Sequence, residues 1–228
     1  MARTVYPTAA GFVPDSSALP DLAAAAQGCE GCNLYADATQ AVFGAGRAGA
    51  RLLLVGEQPG DVEDRRGQPF VGPAGVLLNR ALDDAGIDRD AAYVTNAVKH
   101  FRWKPPAGGT RRLHQKPDAA HVSACRPWLA AELRAVEPYL VVALGATAAQ
   151  SLFGPQFRVT QERGAVLSWP PTVGPFAGVQ VADTLSSALA TIHPSAVLRA
   201  EPGERDAMYD GFVADLRTAA GVLAGADR

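Results

Sequence analysis

Four short runs in this 228-residue sequence hold side chains able to do chemistry. Gly56-Glu57-Gln58-Pro59-Gly60 follows an apolar stretch and sets a carboxylate and an amide between glycines, which let a backbone approach a ligand closely. His193-Pro194-Ser195 follows a second apolar stretch and holds an imidazole at its end. Gly108-Gly109-Thr110-Arg111-Arg112-Leu113-His114 is a glycine-hinged basic loop ending in another imidazole. Cys29-x-x-Cys32 has the spacing at which two thiolates grip one ion. A carboxylate, an amide, two histidines and a basic loop suit chemistry on an anionic polymer.

These residues need a scaffold, and the apolar pattern supplies one. Arg51–Val55, Ala91–Thr95, Tyr139–Leu144 and Leu189–Ile192 read as buried strands, with Val166–Trp169 as an edge strand. Helices are expected at Asp21–Gln27, Pro73–Gly86, Asp118–Val136, Ala146–Phe153 and Glu204–Leu223. Val76, Leu77, Leu78 and Leu82 form the inner face of the second of these, and Val122, Trp128, Leu129 and Leu133 that of the third. Strands alternating with helices of this length imply an α/β fold, a three-layer α/β/α sandwich around a central, mostly parallel sheet. One domain spans 1–228, with 1–20 as a loosely ordered arm. Both imidazole runs and Glu57 then fall at strand ends or loops, where open α/β sheets build their sites.

Charge narrows the function classes. The formal net charge is −2, so the chain is no global polycation, and contact with phosphates must come from a local patch. Arg102–Pro117 is such a patch, with Arg102, Lys104, Arg111, Arg112 and Lys116 and no acidic residue. No export signal and no membrane span are read, and three cysteines make no disulfide framework, so a reducing cytoplasm is expected.

Several motifs carry a bland reading beside a functional one. Gly44-Ala45-Gly46-Arg47-Ala48-Gly49 matches the dinucleotide fingerprint in letters but precedes a strand instead of following one, so it reads as a flexible loop. Phe70, just before a helix start, is either ordinary core or a stacking platform for a planar ring. Cys29, Cys32 and Cys125 need a fourth ligand, for which His100 is the candidate; residue chemistry alone favours a zinc site. His121 reads as a solvated surface histidine, as most helix-surface histidines are, and His114 could be one too. His193, between a strand and Pro-Ser, is rigidly held and favours function.

Taken together, Gly56–Gly60, Pro69-Phe70-Val71-Gly72, Val94-Thr95-Asn96 and His193-Pro194-Ser195 resemble the signature segments of the uracil-DNA glycosylase superfamily. The three cysteines resemble the cluster positions of its iron–sulfur members. Val98-Lys99-His100 and the insert ending at His114 resemble the UdgX branch, whose members bond covalently to DNA after excising uracil. Thr110 departs from that branch, which carries a basic residue there.

The resemblance implies a [4Fe–4S] cluster on Cys29, Cys32, His100 and Cys125, and uracil-containing DNA, single strands included, as substrate of a monomer. It implies uracil recognition by Asn96, stacking on Phe70, and a grip on O2 by the backbone of Gln58 and Pro59. His193 would stabilise the departing base and His114 would capture C1′, with Glu57 accepting the imidazole proton or orienting the ring. Arg111, Arg112, Lys104 and Ser195 are the expected DNA contacts, Arg112 pinning its loop against phosphate or carboxylate. Two alternatives stay open: a multiple-turnover glycosylase that releases an abasic site, and a non-catalytic nucleic-acid-binding module stabilised by metal.

Overall fold

The computed structural model describes residues 5–105, 112–179 and 181–226. In chain order the strands are β1 (Leu52–Gly56), β2 (Ala92–Asn96), β3 (Trp103–Lys104), β4 (Leu113–His114), β5 (Leu140–Leu144), β6 (Val166–Ser168) and β7 (Ser187–Thr191). The helices are α1 (Leu19–Ala26), α2 (Asp61–Arg66), α3 (Pro73–Asp84), α4 (Ala119–Val136), α5 (Ala146–Phe153), α6 (Val159–Glu162), α7 (Pro194–Arg199) and α8 (Pro202–Gly225). One sheet runs β2-β1-β5-β7-β6, with β6 antiparallel at the edge and the other pairings parallel. β3 and β4 form a separate hairpin that pairs Trp103 with His114.

Strands β1, β2 and β5 are buried along their whole length because both faces are covered. Leu53 and Val55 point into a core with Leu129 and Leu133 of α4 and Leu152 of α5. Leu52 and Leu54 point the other way, onto Leu78 and Leu82 of α3 and Phe212 and Leu216 of α8. The three-layer α/β/α sandwich is thus formed, and its parallel strands end on one side.

Local rules account for most boundaries. α3 starts with Pro73 at its first position, where a missing N–H costs nothing, and Gly86 follows its end in the left-handed region. α4 is capped by Asp118, whose carboxylate accepts the Ala120 and His121 N–H groups. Gly44–Gly49 is a loop ahead of β1, as its context requires, and Ala45 bridges to Val94.

Three expectations are corrected. Val76 faces solvent, 68% exposed, because its position on α3 falls outside the stripe of Leu78 and Leu82. His121 is buried at 1% exposure: its Nε2 meets Asn33 Oδ1 at 2.9 Å, its Nδ1 accepts the Asp118 N–H, and the Tyr6 ring packs against it with centroids 4.7 Å apart and planes tilted by 30°. Residues 5–20 are also not loose, since Ala9 and Leu19 join a third apolar cluster on the outer side of α4 with Leu22, Trp128 and the three cysteines.

Among the described residues, Lys99 and Glu132 form an ion pair with both side chains wholly buried. Lys99 Nζ lies 2.5 Å from Glu132 Oε2, with side chains 1% and 0% exposed. Glu132 Oε1 accepts from the Tyr93 and Thr95 hydroxyls and the Gly44 N–H, and Lys99 also donates to Thr95 Oγ1 and to the Asn96 carbonyl. Removing one member leaves an uncompensated buried charge. Glu132→Ala should therefore lower the unfolding free energy by about 3–5 kcal/mol in urea denaturation. A loss near that of an exposed pair, below about 1 kcal/mol, would contradict the network's role.

Candidate active site

The carboxyl ends of β1, β2, β5 and β7 open onto a cleft of about 960 Å³, lined among others by Glu57, Gln58, Phe70, Asn96, His114, Thr147 and His193. The chain leaves β1 toward α3 on one face and β5 toward α5 on the other, so the crevice between them is the sheet's topological switch point.

One wall is built by close approach at Gly56, which pairs with Asn96 across the sheet. A Cβ there would stand 2.3 Å from Asn96 Oδ1 and 2.7 Å from Phe70 Cζ, so glycine is what lets amide and ring share this corner. The Asn96 carboxamide is buried in the cleft wall and bonds to no described residue, which leaves a donor and an acceptor for a ligand. Phe70 sits in the left-handed region at φ 56°, its ring 6.3 Å from that of His193. Glu63 Oε1 accepts the Gly72 N–H at 2.8 Å and braces the turn that presents Phe70.

His193 caps α7. Its Nδ1 accepts the Ser195 N–H at 3.1 Å and lies 2.7 Å from the Ser195 hydroxyl, which leaves the proton of the neutral ring on Nε2. Burial, with the charges of Arg199 and His114, pushes its pKa down to about 4. Gly145, at φ +90°, passes so close that a Cβ there would meet His193 Cβ at 2.8 Å. The imidazole is a fixed, neutral hydrogen-bond donor at physiological pH.

His114 comes from the hairpin. Its side chain is 51% exposed and Nε2 lies 3.5 Å from Glu57 Oε1. Burial lowers its pKa, Glu57 raises it and Arg199 lowers it, and the balance falls below the ordinary imidazole value. The other Glu57 oxygen, Oε2, accepts the Thr147 hydroxyl proton.

The Gln58 side chain has a structural task of its own. The Gln58 amide donates to the Arg102 and Gln115 carbonyls and accepts the Arg102 N–H, so it clamps the hairpin base. Pro59 is buried and has no N–H, so it offers a ligand no backbone donor. Arg112 is spent on carboxylates, with Nε 2.5 Å from Asp61 Oδ1 and an Nη 2.6 Å from Asp64 Oδ2, under the rings of Phe101 and Trp103. It pins the hairpin to α2, the carboxylate half of the expectation, and does not stand free for phosphate. Ser195 is likewise engaged, by His193 and by Arg199. Lys104 is exposed, and Arg111 lies outside the described residues.

The thiols of Cys29, Cys32 and Cys125 are free and buried in one cluster. Burial pushes Cys125 up to about 12, with Cys32 and Cys29 adding to it, and burial also raises Cys32, with Cys29 and Asp118 adding to it. Trp128 Nε1 donates to Cys29 Sγ at 3.2 Å and the Lys99 N–H to Cys125 Sγ at 3.3 Å. His100, next in chain to Lys99, is buried with no hydrogen bond to a described residue, and burial lowers its pKa to about 4. Among the described residues no three His, Cys, Asp or Glu side chains converge as ligands of a single ion would.

Comparison with known proteins decides the family. The pattern of the uracil DNA glycosylase superfamily matches residues 43–217. The Type-4 uracil-DNA glycosylase of Thermotoga maritima is 35% identical over 177 residues, 77% of this chain and 81% of its own. That of Pyrobaculum aerophilum is 36% identical over 171 residues, 75% of this chain and 80% of its own. The Type-5 uracil-DNA glycosylase of the same organism is 33% identical over 115 residues, 44% of this chain and 46% of its own. The chain belongs to the uracil DNA glycosylase superfamily. The superfamily segment of this chain contains every cleft residue named above, with His100 and Cys125, while Cys29 and Cys32 precede it.

Sequence reasoning missed Thr147, Asp61, Asp64 and the Lys99–Glu132 pair. Glu132 did leave a signal, an acidic residue within the inward face of α4 between Leu129 and Leu133. Thr147 left none. For His193, the folded ring binds its proton only near pH 4, whereas an unfolded imidazole does so near 6.5. Through that window the unfolded chain holds the extra proton, so this residue's contribution to stability is lost as pH falls. Titration by NMR should find His193 near 4, and a value at or above the ordinary one would contradict the geometry.

Proposed function

We propose that this superfamily member excises uracil from DNA and captures the deoxyribose on His114, as the resemblance to the UdgX branch suggests. The observation that carries it is the pairing of His114 with Glu57 at the mouth of the cleft that holds Asn96, Phe70 and His193. The relatives named as uracil-DNA glycosylases support the first half of the reaction.

The base leaves its stack and enters the cleft. The unpartnered carboxamide of Asn96 meets the N3–H and O4 of uracil, with the Phe70 ring against the base. As the C1′–N1 bond breaks, its electron pair leaves with uracil. His193 Nε2–H donates to O2 where that charge collects, without becoming an acid itself. The lone pair of neutral His114 forms the new bond to C1′, and Glu57 faces the resulting imidazolium and can take its N–H proton. A ring held at contact distance outcompetes water through effective molarity.

The donor set suits a [4Fe–4S] cluster: three free thiols lie buried in one cluster, His100 bonds to no described residue, and N–H groups already point at two of the sulfurs. Cys29, Cys32, Cys125 and His100 would hold it, and its role would be to fasten residues 29–32 to α4 and to the segment after β2.

Incubation with a uracil-containing oligonucleotide should give a covalent band on a denaturing gel, and His114→Ala should replace it with free abasic product. Abasic product alone from the unaltered protein would return His114 to a DNA contact, and no released uracil would leave a binding module. Because His114 must be neutral to attack and its pKa is lowered, adduct formation should persist below pH about 6.5 and fail in stronger acid. A rate indifferent to acid would remove His114 as nucleophile. The purified protein should be brown and contain iron and sulfide, and a colourless, iron-free preparation would overturn the cluster.

A further inference from the structure

We propose that Thr147 is the positioning residue that decides whether His114 or water captures the deoxyribose, a role that rests on the function proposed above. Thr147 stands in the first turn of α5, lines the cleft and is 7% exposed. Its hydroxyl donates to Glu57 Oε2, which leaves Oε1 as the oxygen facing His114.

The contact is set by the sheet. Glu57 follows β1 and Thr147 follows β5, and these strands pair side by side up to Val55 and Ala143. The two residues therefore meet at the switch point without help from a mobile loop. The hydroxyl sits on the first turn of α5, a rigid element, so it holds the carboxylate in one rotamer. Released from Thr147, the carboxylate regains side-chain freedom and no longer presents one oxygen to the ring.

In the step itself, the C1′–N1 pair leaves with uracil and the His114 lone pair forms the C1′–N bond. The positive charge that appears on the ring faces Oε1, which can accept the remaining N–H proton. Water capture uses the same departing base but forms a C1′–O bond and loses a water proton instead. Departure of the base relies on Asn96, Phe70 and His193, none of which hydrogen-bonds to Thr147. Thr147 should thus govern the division between products, whatever it does to the total.

Thr147→Val keeps the shape and removes the hydroxyl, and Thr147→Ser keeps the hydroxyl. Single-turnover reactions on a uracil oligonucleotide should show the ratio of adduct to abasic product falling about 10- to 100-fold in the valine variant, the scale of a hydrogen bond to a charged group. Serine should restore the ratio. A ratio within about twofold of the unaltered protein would overturn the proposal, as would parallel loss of both products, which is what mere structural damage gives. NMR titration of His114 in the free protein is the second readout. Glu57 raises its pKa against burial and Arg199, so the valine variant should titrate lower and the serine variant normally. An unmoved titration would count against Thr147. If the unaltered protein forms no adduct, the proposed function falls, while the titration still decides whether Thr147 positions Glu57.

Discussion

Parallel pairing is the constraint from which the rest of this molecule follows. Strands that run the same way end on the same side, so the polar groups that cannot stay in an apolar sheet collect along one edge. In β1, β2, β5 and β7 that edge delivers Glu57, Asn96, Thr147 and His193 from positions far apart in the chain. Register refines the placement, since Gly56 lies opposite Asn96 and its missing side chain makes the space in which the amide and Phe70 meet. The same edge is dry enough to keep His193 neutral, and a neutral ring with its proton on Nε2 donates without first being charged.

The two histidines belong to mechanically different parts. His193 is fixed to the sheet by the cap of α7 and by the passage of Gly145. His114 rides on a hairpin of two residue pairs, tied down by Gln58, by Arg112 on Asp61 and Asp64, and by the Trp103 indole on the Asp37 carbonyl. Base departure and sugar capture, under the proposed function, would thus be housed in separable pieces of structure.

The sheet was legible in the sequence because buried parallel strands are continuous apolar runs: Leu52-Leu53-Leu54-Val55 and Leu140-Val141-Val142 admit little else. α5 was read to the residue, since Gly145 and Gly154 bracket it. Short polar helices were invisible. α2 has six residues, four of them in the run Glu63-Asp64-Arg65-Arg66, and only its contacts with Arg112 and Thr39 explain Asp64 being buried. The cleft-lining residues at strand ends could be placed by position, whereas Thr147 bonds to a partner 90 residues away, which no local pattern reports. His121 was misread for the same reason, its partners Tyr6 and Asn33 lying outside its own helix.

The N-terminal segment turns α4 into an inner layer. Leu129 and Leu133 face the sheet, while Ala124, Trp128 and Ala131 face Ala9, Leu22 and Leu34 on the opposite side. Trimming the protein back to the span shared with its superfamily would strip that cover and wet a tryptophan and a row of small apolar side chains. A shortened version made for crystallisation or delivery would carry a sticky flank, and its tendency to aggregate would come from the deletion itself.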